Sequence, residues 1–218
     1  MTNRLGGVSA EPYAGFNLAT HVGDDPANVD ANRKTLAASL SLAAQPHWLT
    51  QVHGKHVVTM PGGESTGDGA FTTAPGEVLA IMVADCLPVF LAATDGSAVA
   101  ILHAGWRGVA GGVIAAGLSR FESRVVAHIG PGIGPCHFEV DAPVRDAMPG
   151  FEFAFRDGRD ESHWQLDLAA VARRQLLDAG VEEVTGGETC TVCDVTRWFS
   201  ARGEKTTGRM AGLIWIES

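Results

Sequence analysis

The chain has 218 residues, 45% of them hydrophobic, and a formal net charge of −9 at pH 7. This length and apolar content are enough for one mixed α and β domain with a sizeable core, so we expect residues 1–218 to form a single catalytic domain. The acidic balance argues against nucleic acid and against an anionic membrane surface as partners. It leaves open a small anion held in a local arginine-lined pocket.

The sequence carries no sign of export or of membrane insertion. The first ten residues lack the apolar segment of a signal peptide, and the longest apolar stretch, 78–93, is interrupted by Asp85 and Pro88. Four cysteines in a chain of this length do not form a disulfide framework. We therefore predict a cytoplasmic protein, a monomer or weak dimer, whose thiols are free for metal binding or catalysis.

The first half of the chain contains one predicted helix and three predicted strands. Asp25 caps a helix that begins at Pro26 and whose apolar face carries Val29, Leu36 and Leu40. Strands are predicted at 48–52, 78–83 and 98–102, the last two as buried strands. A surface loop is predicted at 62–70, between strand-like segments.

The second half begins with a predicted helix that follows Trp106-Arg107-Gly108 and continues through Val113 to about Leu118. Gly111 and Gly112 weaken this helix pattern. A fourth strand is predicted at 124–129, before the turn-rich segment 130–136. The last helix is capped by Asp167, buries Leu168, Val171 and Leu176, and ends at Gly180.

Three predicted strands each lead into a residue that can bind a metal. These residues are His53, Cys86 and His103, separated by 33 and then 17 residues. If the strands lie side by side with their ends at one edge of a sheet, the three side chains meet. Two imidazoles and a thiolate suit zinc, and three protein ligands leave a fourth position open for chemistry. Taken singly, each residue is better explained as a buried thiol at a strand end or a hydrogen-bonded histidine of the core.

The sequence around these residues closely resembles that of the YfiH-type family, which is variously labelled laccase-domain protein, polyphenol oxidase or purine nucleoside phosphorylase. The resemblance covers nearly the whole chain as ordered motifs. These are RLGGVS at 4–9, NL at 17–18, HVGD at 21–24, NR at 32–33, QVHG at 51–54, ADCLP at 84–88, HAGWRG at 103–108, GPGIGPCHFEV at 130–140 and TGR at 207–209.

This resemblance implies that His53, Cys86 and His103 bind the metal, which we expect to be zinc, with copper as the alternative. It also implies an α+β fold of mixed β-sheets in a sandwich flanked by helices, similar to the catalytic domain of cytotoxic necrotising factor. One departure is visible: the family tends to have FSYRR before the TGR motif, whereas this chain has FSARG at 199–203. Of that loop, only Arg202 remains a candidate for ligand contact.

Several polar residues are candidates for holding a substrate. Arg107 is the first choice, since it lies in a glycine-flanked turn at the start of a helix, where backbone N–H groups and a guanidinium can clamp phosphate. A structural arginine paired with an acidic residue is the alternative reading. Four weaker candidates are Arg209, Arg33, Arg4 and Asn17.

Three further sets of residues are given no catalytic role. Asp85 precedes Cys86 in an extended segment and so points to the other side, which suits a supporting residue rather than a ligand. Cys190 and Cys193 form a lone C-x-x-C pair and are interpreted as free buried thiols. Cys136 and His137 lie in a turn that lines the same pocket in our interpretation, with no role assigned.

The family implies a zinc-dependent purine nucleoside enzyme. The expected reactions are phosphorolysis of adenosine, inosine, guanosine and methylthioadenosine and deamination of adenosine, with nucleoside and phosphate as the partners. A second hypothesis is a copper-dependent, laccase-like polyphenol oxidase, but the eight histidines include no H-x-H pair of the kind multicopper sites use. A third is a metal-free hydrolase with Cys86 as nucleophile and His103 as base.

Overall fold

A computed structural model describes residues 1–217 of the protein. It contains five α-helices: α1 (Pro26–Ser39), α2 (Trp106–Gly111), α3 (Val113–Leu118), α4 (Ala142–Asp146) and α5 (Leu168–Asp178). The first six strands are β1 (His47–Trp48), β2 (Val57–Met60), β3 (Gly69–Thr72), β4 (Leu79–Val83), β5 (Leu87–Ala93) and β6 (Val99–Ala104). The other six are β7 (Val125–Ile129), β8 (Glu139–Asp141), β9 (Phe155–Asp157), β10 (His163–Leu166), β11 (Glu183–Gly186) and β12 (Met210–Ile214).

The strands form three sheets, two of them mixed. A six-stranded sheet has the order β11-β7-β5-β6-β3-β2, and two three-stranded sheets have the orders β1-β4-β12 and β8-β10-β9. In the large sheet, β5 is antiparallel to both β6 and β7, whereas β2 and β3 are parallel. The predicted α+β fold with mixed sheets and flanking helices is confirmed.

The side chains of β6 show how the layers stack, since successive residues of a strand face opposite sides of a sheet. Val99 and Ile101 pack with residues of the β1-β4-β12 sheet such as Ile81. Ala100 and Leu102 face the other way and pack with residues of α3 and α5, including Ile114. The large sheet is therefore covered by the small sheet on one face and by helices on the other, which buries β4 and β6 completely.

The three strands that lead to the predicted metal ligands do not share one sheet edge, so that part of the prediction is wrong. The predicted strand 48–52 is reduced to the two residues of β1, which pairs in parallel with β4 in the small sheet. β6 belongs to the large sheet and extends through His103, so this histidine lies within the strand rather than after it. Residues 84–86 cross from β4 in one layer to β5 in the other, and this crossing brings the ligands together.

Two of the predicted helices match closely and one does not. The Asp25 and Asp167 carboxylates accept N–H groups of Ala27 and Ala170 at 2.8 and 2.9 Å, as expected for N-caps. Leu40 lies beyond the end of α1 and is 42% exposed, so it is not part of the apolar face. The helix predicted from 109 to 118 begins earlier, at Trp106, and is broken into α2 and α3 by Gly112.

Gly112 has φ of +91°, a left-handed conformation that ends α2 and that glycine adopts at little cost.

Within residues 1–217, no helix combines the length and the apolarity needed to cross a membrane.

Candidate metal centre and substrate pocket

His53, Cys86 and His103 come together although they arrive from different structural elements. Their ligand atoms all lie within 4.8 Å of one another, and the two imidazole rings meet edge to face with centroids 4.7 Å apart. His53 is exposed, Cys86 is half-buried and His103 is buried. The sequence-based expectation that the three side chains meet therefore holds, by a route other than a common sheet edge.

The local backbone makes room for this cluster. His53 has φ of +59°, unusual for a non-glycine residue, in the backbone conformation that accompanies the approach of its ring to the other two side chains. Gly105 lies opposite Cys86, and a Cβ at that position would approach the Cys86 sulfur to 3.0 Å and the His53 ring to 3.4 Å. A side chain at residue 105 would thus crowd the space between the donors.

Asp68 is the residue that sequence reasoning missed. It is fully buried, and its carboxylate accepts the Nδ1–H of His103 at 2.8 Å. The same carboxylate accepts backbone N–H groups of Val52, His53 and Gly54 at 3.2, 2.9 and 2.6 Å. Asp68 thereby orients one imidazole directly and holds the loop that carries the other. Because Nδ1 of His103 carries the proton for Asp68, its Nε2 is left as the donor towards a metal.

The cluster attracts positive charge, which without a metal is a proton on His103 that a bound metal ion would displace. Burial raises the pKa of Cys86, but hydrogen bonds from His103 and His53 outweigh this effect and lower it to about 6. Burial lowers the pKa of His103, but the hydrogen bonds and charges of Asp68 and Cys86 outweigh this effect and raise it to about 9. A thiolate and an adjacent carboxylate are thus held inside the protein. Two imidazoles and one thiolate match the donors and coordination number of zinc sites that keep an open position.

Replacing Asp68 by asparagine is expected to weaken metal binding about 10- to 100-fold, the usual cost of losing the partner of a ligating histidine. The amide keeps the size of the side chain, but its NH₂ group would face one of the backbone N–H donors of residues 52–54. The dissociation constant for zinc, measured by competition with a chromophoric chelator, checks this. Asp95→Asn, at an exposed carboxylate in the turn after β5, should leave zinc affinity unchanged. Unaltered affinity in Asp68→Asn would mean that His103 needs no such support.

Asp85 supports the structure and lies outside the ligand group. It has φ of +86°, and its carboxylate accepts the hydroxyl of Thr191 and the backbone N–H of Arg202, both at 2.6 Å. These bonds tie the crossing segment to the chain between β11 and β12. The sequence-based interpretation of Asp85 as a supporting residue agrees with this geometry.

A cleft of about 800 Å³ opens beside the three donors. Its lining includes the donors themselves and several apolar and aromatic side chains, among them Trp48, Leu49, Trp106, Ile133, Phe138 and Leu168. The volume lies within the range of about 300–1,000 Å³ that is usual for small-molecule sites. The cleft can therefore enclose a ligand about as large as a nucleoside with an inorganic anion.

Three of the predicted arginines line this cleft, and they are not equivalent. Arg33 donates to the Leu18 carbonyl at 2.8 and 3.0 Å, and Arg209 donates to the carbonyls of residues 207 and 208 at 3.0 Å. Arg107 rests over the Trp106 ring at 4.3 Å, and within residues 1–217 its guanidinium makes no hydrogen bond. Since α2 has only six residues, an anion in this cleft would depend on these guanidinium groups more than on the helix terminus predicted from the sequence.

Two of the predicted substrate contacts do not reach the cleft. Arg4 donates to the carbonyls of Ala14 and Val195 and pairs with Glu204. Asn17 is fully buried and bonds to Asp24, while its side-chain oxygen accepts the backbone N–H of Arg209 at 2.9 Å. Both positions serve the packing of the chain termini, and Asn17 acts on the cleft only by holding the backbone of Arg209.

Comparison with known proteins places this arrangement in a family. The family model described as multi-copper polyphenol oxidoreductase laccase matches residues 1–217. The purine nucleoside phosphorylase YfiH of Shigella flexneri is 42% identical over 225 residues, covering 99% of this chain and 92% of that protein. The chain belongs to the laccase-domain, YfiH-type family.

Solved structures of this family share the fold. The Neisseria meningitidis protein NMB0706 is 39% identical with a TM-score of 0.94, covering 100% of this chain and 93% of that one. YlmD from Geobacillus stearothermophilus is 33% identical with a TM-score of 0.91, covering 100% of this chain and 90% of that one. The fold of this YfiH-type chain is therefore that of its family.

The loop in which this member departs from the family pattern still reaches the cleft through Arg202. Its guanidinium, however, donates to the backbone carbonyls of His137 and Glu139, both at 3.1 Å. This arginine joins two walls of the cleft, and Ala201 beside it has only a methyl group to offer a ligand.

Proposed function

We propose that this chain is a zinc-dependent purine nucleoside enzyme that cleaves nucleosides with phosphate and deaminates adenosine. The observation that carries the proposal is the juxtaposition of an open three-donor centre with an arginine-lined cleft of nucleoside size. Relatives named purine nucleoside phosphorylase, at about 40% identity over the whole chain, support the substrate class.

The centre consists of His53, Cys86 and His103, positioned by Asp68. A zinc ion bound there supplies a Lewis acid with one coordination position not taken by protein. Asp68 fixes the tautomer of His103 and holds the loop that carries His53, so that the three donors line the cleft. The H-x-E and P-C-x-x-C pair of familiar nucleobase deaminases is incomplete, because H-x-E occurs at 137–139 without P-C-x-x-C, and neither His137 nor Glu139 lines the cleft. The general acid of a deamination is therefore left unassigned.

Phosphate is assigned to the guanidinium groups of the cleft. Arg107 is the main contact, since its guanidinium, which stacks on Trp106, makes no hydrogen bond to other described residues and a planar fork can bind two phosphate oxygens. Arg209 and Arg33 add positive charge from positions fixed by backbone carbonyls. Together they form a local cationic site in a protein whose net charge is −9.

The purine ring is assigned to the aromatic and apolar side of the cleft. Trp48 and Trp106 each carry an arginine over one ring face, Arg33 at 4.1 Å and Arg107 at 4.3 Å. Phe138 and Ile133 add apolar surface to the lining. A flat heterocycle can therefore stack on apolar surface while its sugar lies near the cations.

The deciding experiment measures release of free base from adenosine, inosine, guanosine and methylthioadenosine by purified zinc-loaded protein. We expect base release that depends on phosphate, with the sugar recovered as its 1-phosphate, and ammonia from adenosine without phosphate. A chelator-treated sample serves as the control. No base release from any of the four nucleosides, with zinc and phosphate present, would contradict the proposal.

A copper-dependent polyphenol oxidase is the second candidate, favoured by the description of the matching family model. A His₂Cys set also suits copper. A multicopper cluster needs many more histidines than the two that meet here. Oxygen consumption with a phenol, measured after reloading with zinc or with copper, separates the two. Turnover proportional to bound copper would favour the oxidase.

A metal-free hydrolase is the third candidate, favoured by the paired shifts at Cys86 and His103, which describe a thiolate beside an imidazolium. His53 beside the same sulfur suits a metal better than a two-residue nucleophile. Metal analysis of the wild type beside Cys86→Ser distinguishes the candidates, because only this one predicts equal metal content in the two proteins.

A further inference from the structure

A second group of cysteine and histidine side chains lies outside the cleft. Cys136 and His137 lie in the turn that begins at Gly134, and Cys190 and Cys193 lie in the chain that follows β11. The sequence-based interpretation of buried thiols is wrong for Cys193, which is exposed, and Cys190 is half-buried. Neither Cys136 nor His137 lines the 800 Å³ cleft, contrary to expectation.

The distances within this second cluster are those of a tetrahedral metal site. The sulfurs of Cys136 and Cys193 are 3.5 Å apart, and Nδ1 of His137 lies 3.3, 3.7 and 3.6 Å from the sulfurs of Cys136, Cys190 and Cys193. All four donor atoms lie within 4.8 Å of one another. Around a tetrahedral zinc, Zn–S bonds of ~2.3 Å and Zn–N bonds of ~2.0–2.1 Å place sulfurs about 3.8 Å apart and sulfur and nitrogen about 3.6 Å apart.

Backbone hydrogen bonds hold the two segments that carry the four side chains close together. The two segments are joined by hydrogen bonds from Gly132 N–H to the Thr189 carbonyl at 3.2 Å and from Thr191 N–H to the Gly132 carbonyl at 2.9 Å. Gly134 N–H donates to the Cys190 sulfur at 3.2 Å, and a Cβ on Gly134 would approach Cys190 Cβ to 3.0 Å. The segments are thereby fixed close together, with an N–H group supporting one sulfur.

The close approach of three sulfurs favours a cation among them. Three thiolates at these distances would repel one another, and a divalent ion bound between them removes that repulsion. Three exposed or half-buried thiols at this distance would otherwise be prone to oxidation.

We propose that Cys136, His137, Cys190 and Cys193 bind a second zinc ion, which serves a structural role. Three sulfurs and one nitrogen complete a tetrahedral coordination sphere and leave no open position, in contrast to the centre in the cleft. The C-x-x-C pair supplies two ligands from one turn, and the adjacent Cys136 and His137 supply two from the other.

The ion would fasten together two segments that form walls of the cleft. The 130–140 segment contributes Ile133 and Phe138 to the lining. The segment after β11 holds Asp85 through Thr191 and leads to Arg202, whose guanidinium binds the carbonyls of His137 and Glu139. We therefore expect loss of this zinc to loosen the cleft without removing any group that touches substrate.

The test counts zinc per chain in protein purified under reducing conditions. Cys193→Ser should contain about one zinc fewer than the wild type, and Lys205→Ser, a change at an exposed residue outside the cluster, should match the wild type. Cys86→Ser should remove the other ion, so zinc X-ray absorption of that variant should report about three sulfurs and one nitrogen around the metal that remains. These readouts do not depend on nucleoside turnover, so they stand or fall apart from the proposed function.

Two results would overturn the proposal. One is equal zinc content in the wild type and in Cys193→Ser. The other is a Cys136–Cys193 disulfide, found by peptide mapping of the wild-type protein as purified, in place of a bound ion. Because misfolding of Cys193→Ser could also release metal, His137→Gln gives a second measurement, and circular dichroism of both variants must match that of the wild type.

Discussion

Replacing Cys86 by serine is expected to remove most of the metal from the cleft centre and to lower nucleoside turnover by at least the same factor. The thiolate is the only anionic donor among the three ligands, and a neutral hydroxyl is a poor replacement for it. Loss of an outer partner of a ligand already costs about 10- to 100-fold in metal affinity, so loss of the ligand itself should exceed about 100-fold. Zinc affinity by chelator competition and phosphate-dependent base release measure the two effects.

Asp95→Asn again provides the control, since it changes an exposed side chain that belongs to neither cysteine–histidine cluster and does not line the cleft. It should retain the metal bound by His53 and His103 and most of the activity. A Cys86→Ser protein with full metal content and no activity would point instead to Cys86 as a nucleophile. A protein that keeps both would show that this sulfur is neither ligand nor nucleophile.

The sequence predicted correctly those helices and strands whose boundaries are set by residues close to them in the chain. Asp25 and Asp167 mark helix starts because a carboxylate satisfies the first free N–H groups, and this bond needs no tertiary partner. The apolar run 78–83 identified β4 because both of its faces are buried. The shortening of β1 and the break at Gly112 were missed, since strand length depends on the partner strand, and a left-handed glycine inside a helical pattern depends on how the two pieces pack.

The residues of the candidate site that stand in ordered sequence motifs could be predicted. Those that join it only through contacts between distant parts of the chain could not. His53, Cys86 and His103 stand in recognisable motifs, but their common location results from the crossing between two sheets, which no periodicity encodes. Asp68 lay in a segment interpreted as a surface loop. The need of a metal-binding histidine for a carboxylate partner was the one signal that could have singled it out. The second cluster was missed because His137 and Cys190 are 53 residues apart in the chain.

The second large effect is expected at Arg107, because it separates two reactions of one site. Phosphorolysis requires phosphate beside the sugar, whereas deamination requires only nucleoside and water. A charge-assisted bidentate contact in a partly dry cleft contributes on the order of 2–4 kcal/mol, so Arg107→Ala should lower phosphorolytic kcat/KM by about 30- to 1,000-fold. The KM for phosphate should rise, zinc content should stay unchanged, and deamination should fall much less.

Two further variants decide whether the guanidinium itself is responsible. Arg107→Lys keeps the charge but cannot present the planar fork, so it should recover little of the phosphorolytic activity. Arg124→Ala removes an exposed arginine that pairs with Glu182 at 2.8 Å, away from the cleft, and should behave as the wild type. If Arg107→Ala lowers both reactions equally with zinc retained, the arginine orients the nucleoside through its stack on Trp106. The phosphate would then be held by Arg209 and Arg33, whose guanidinium groups line the same cleft.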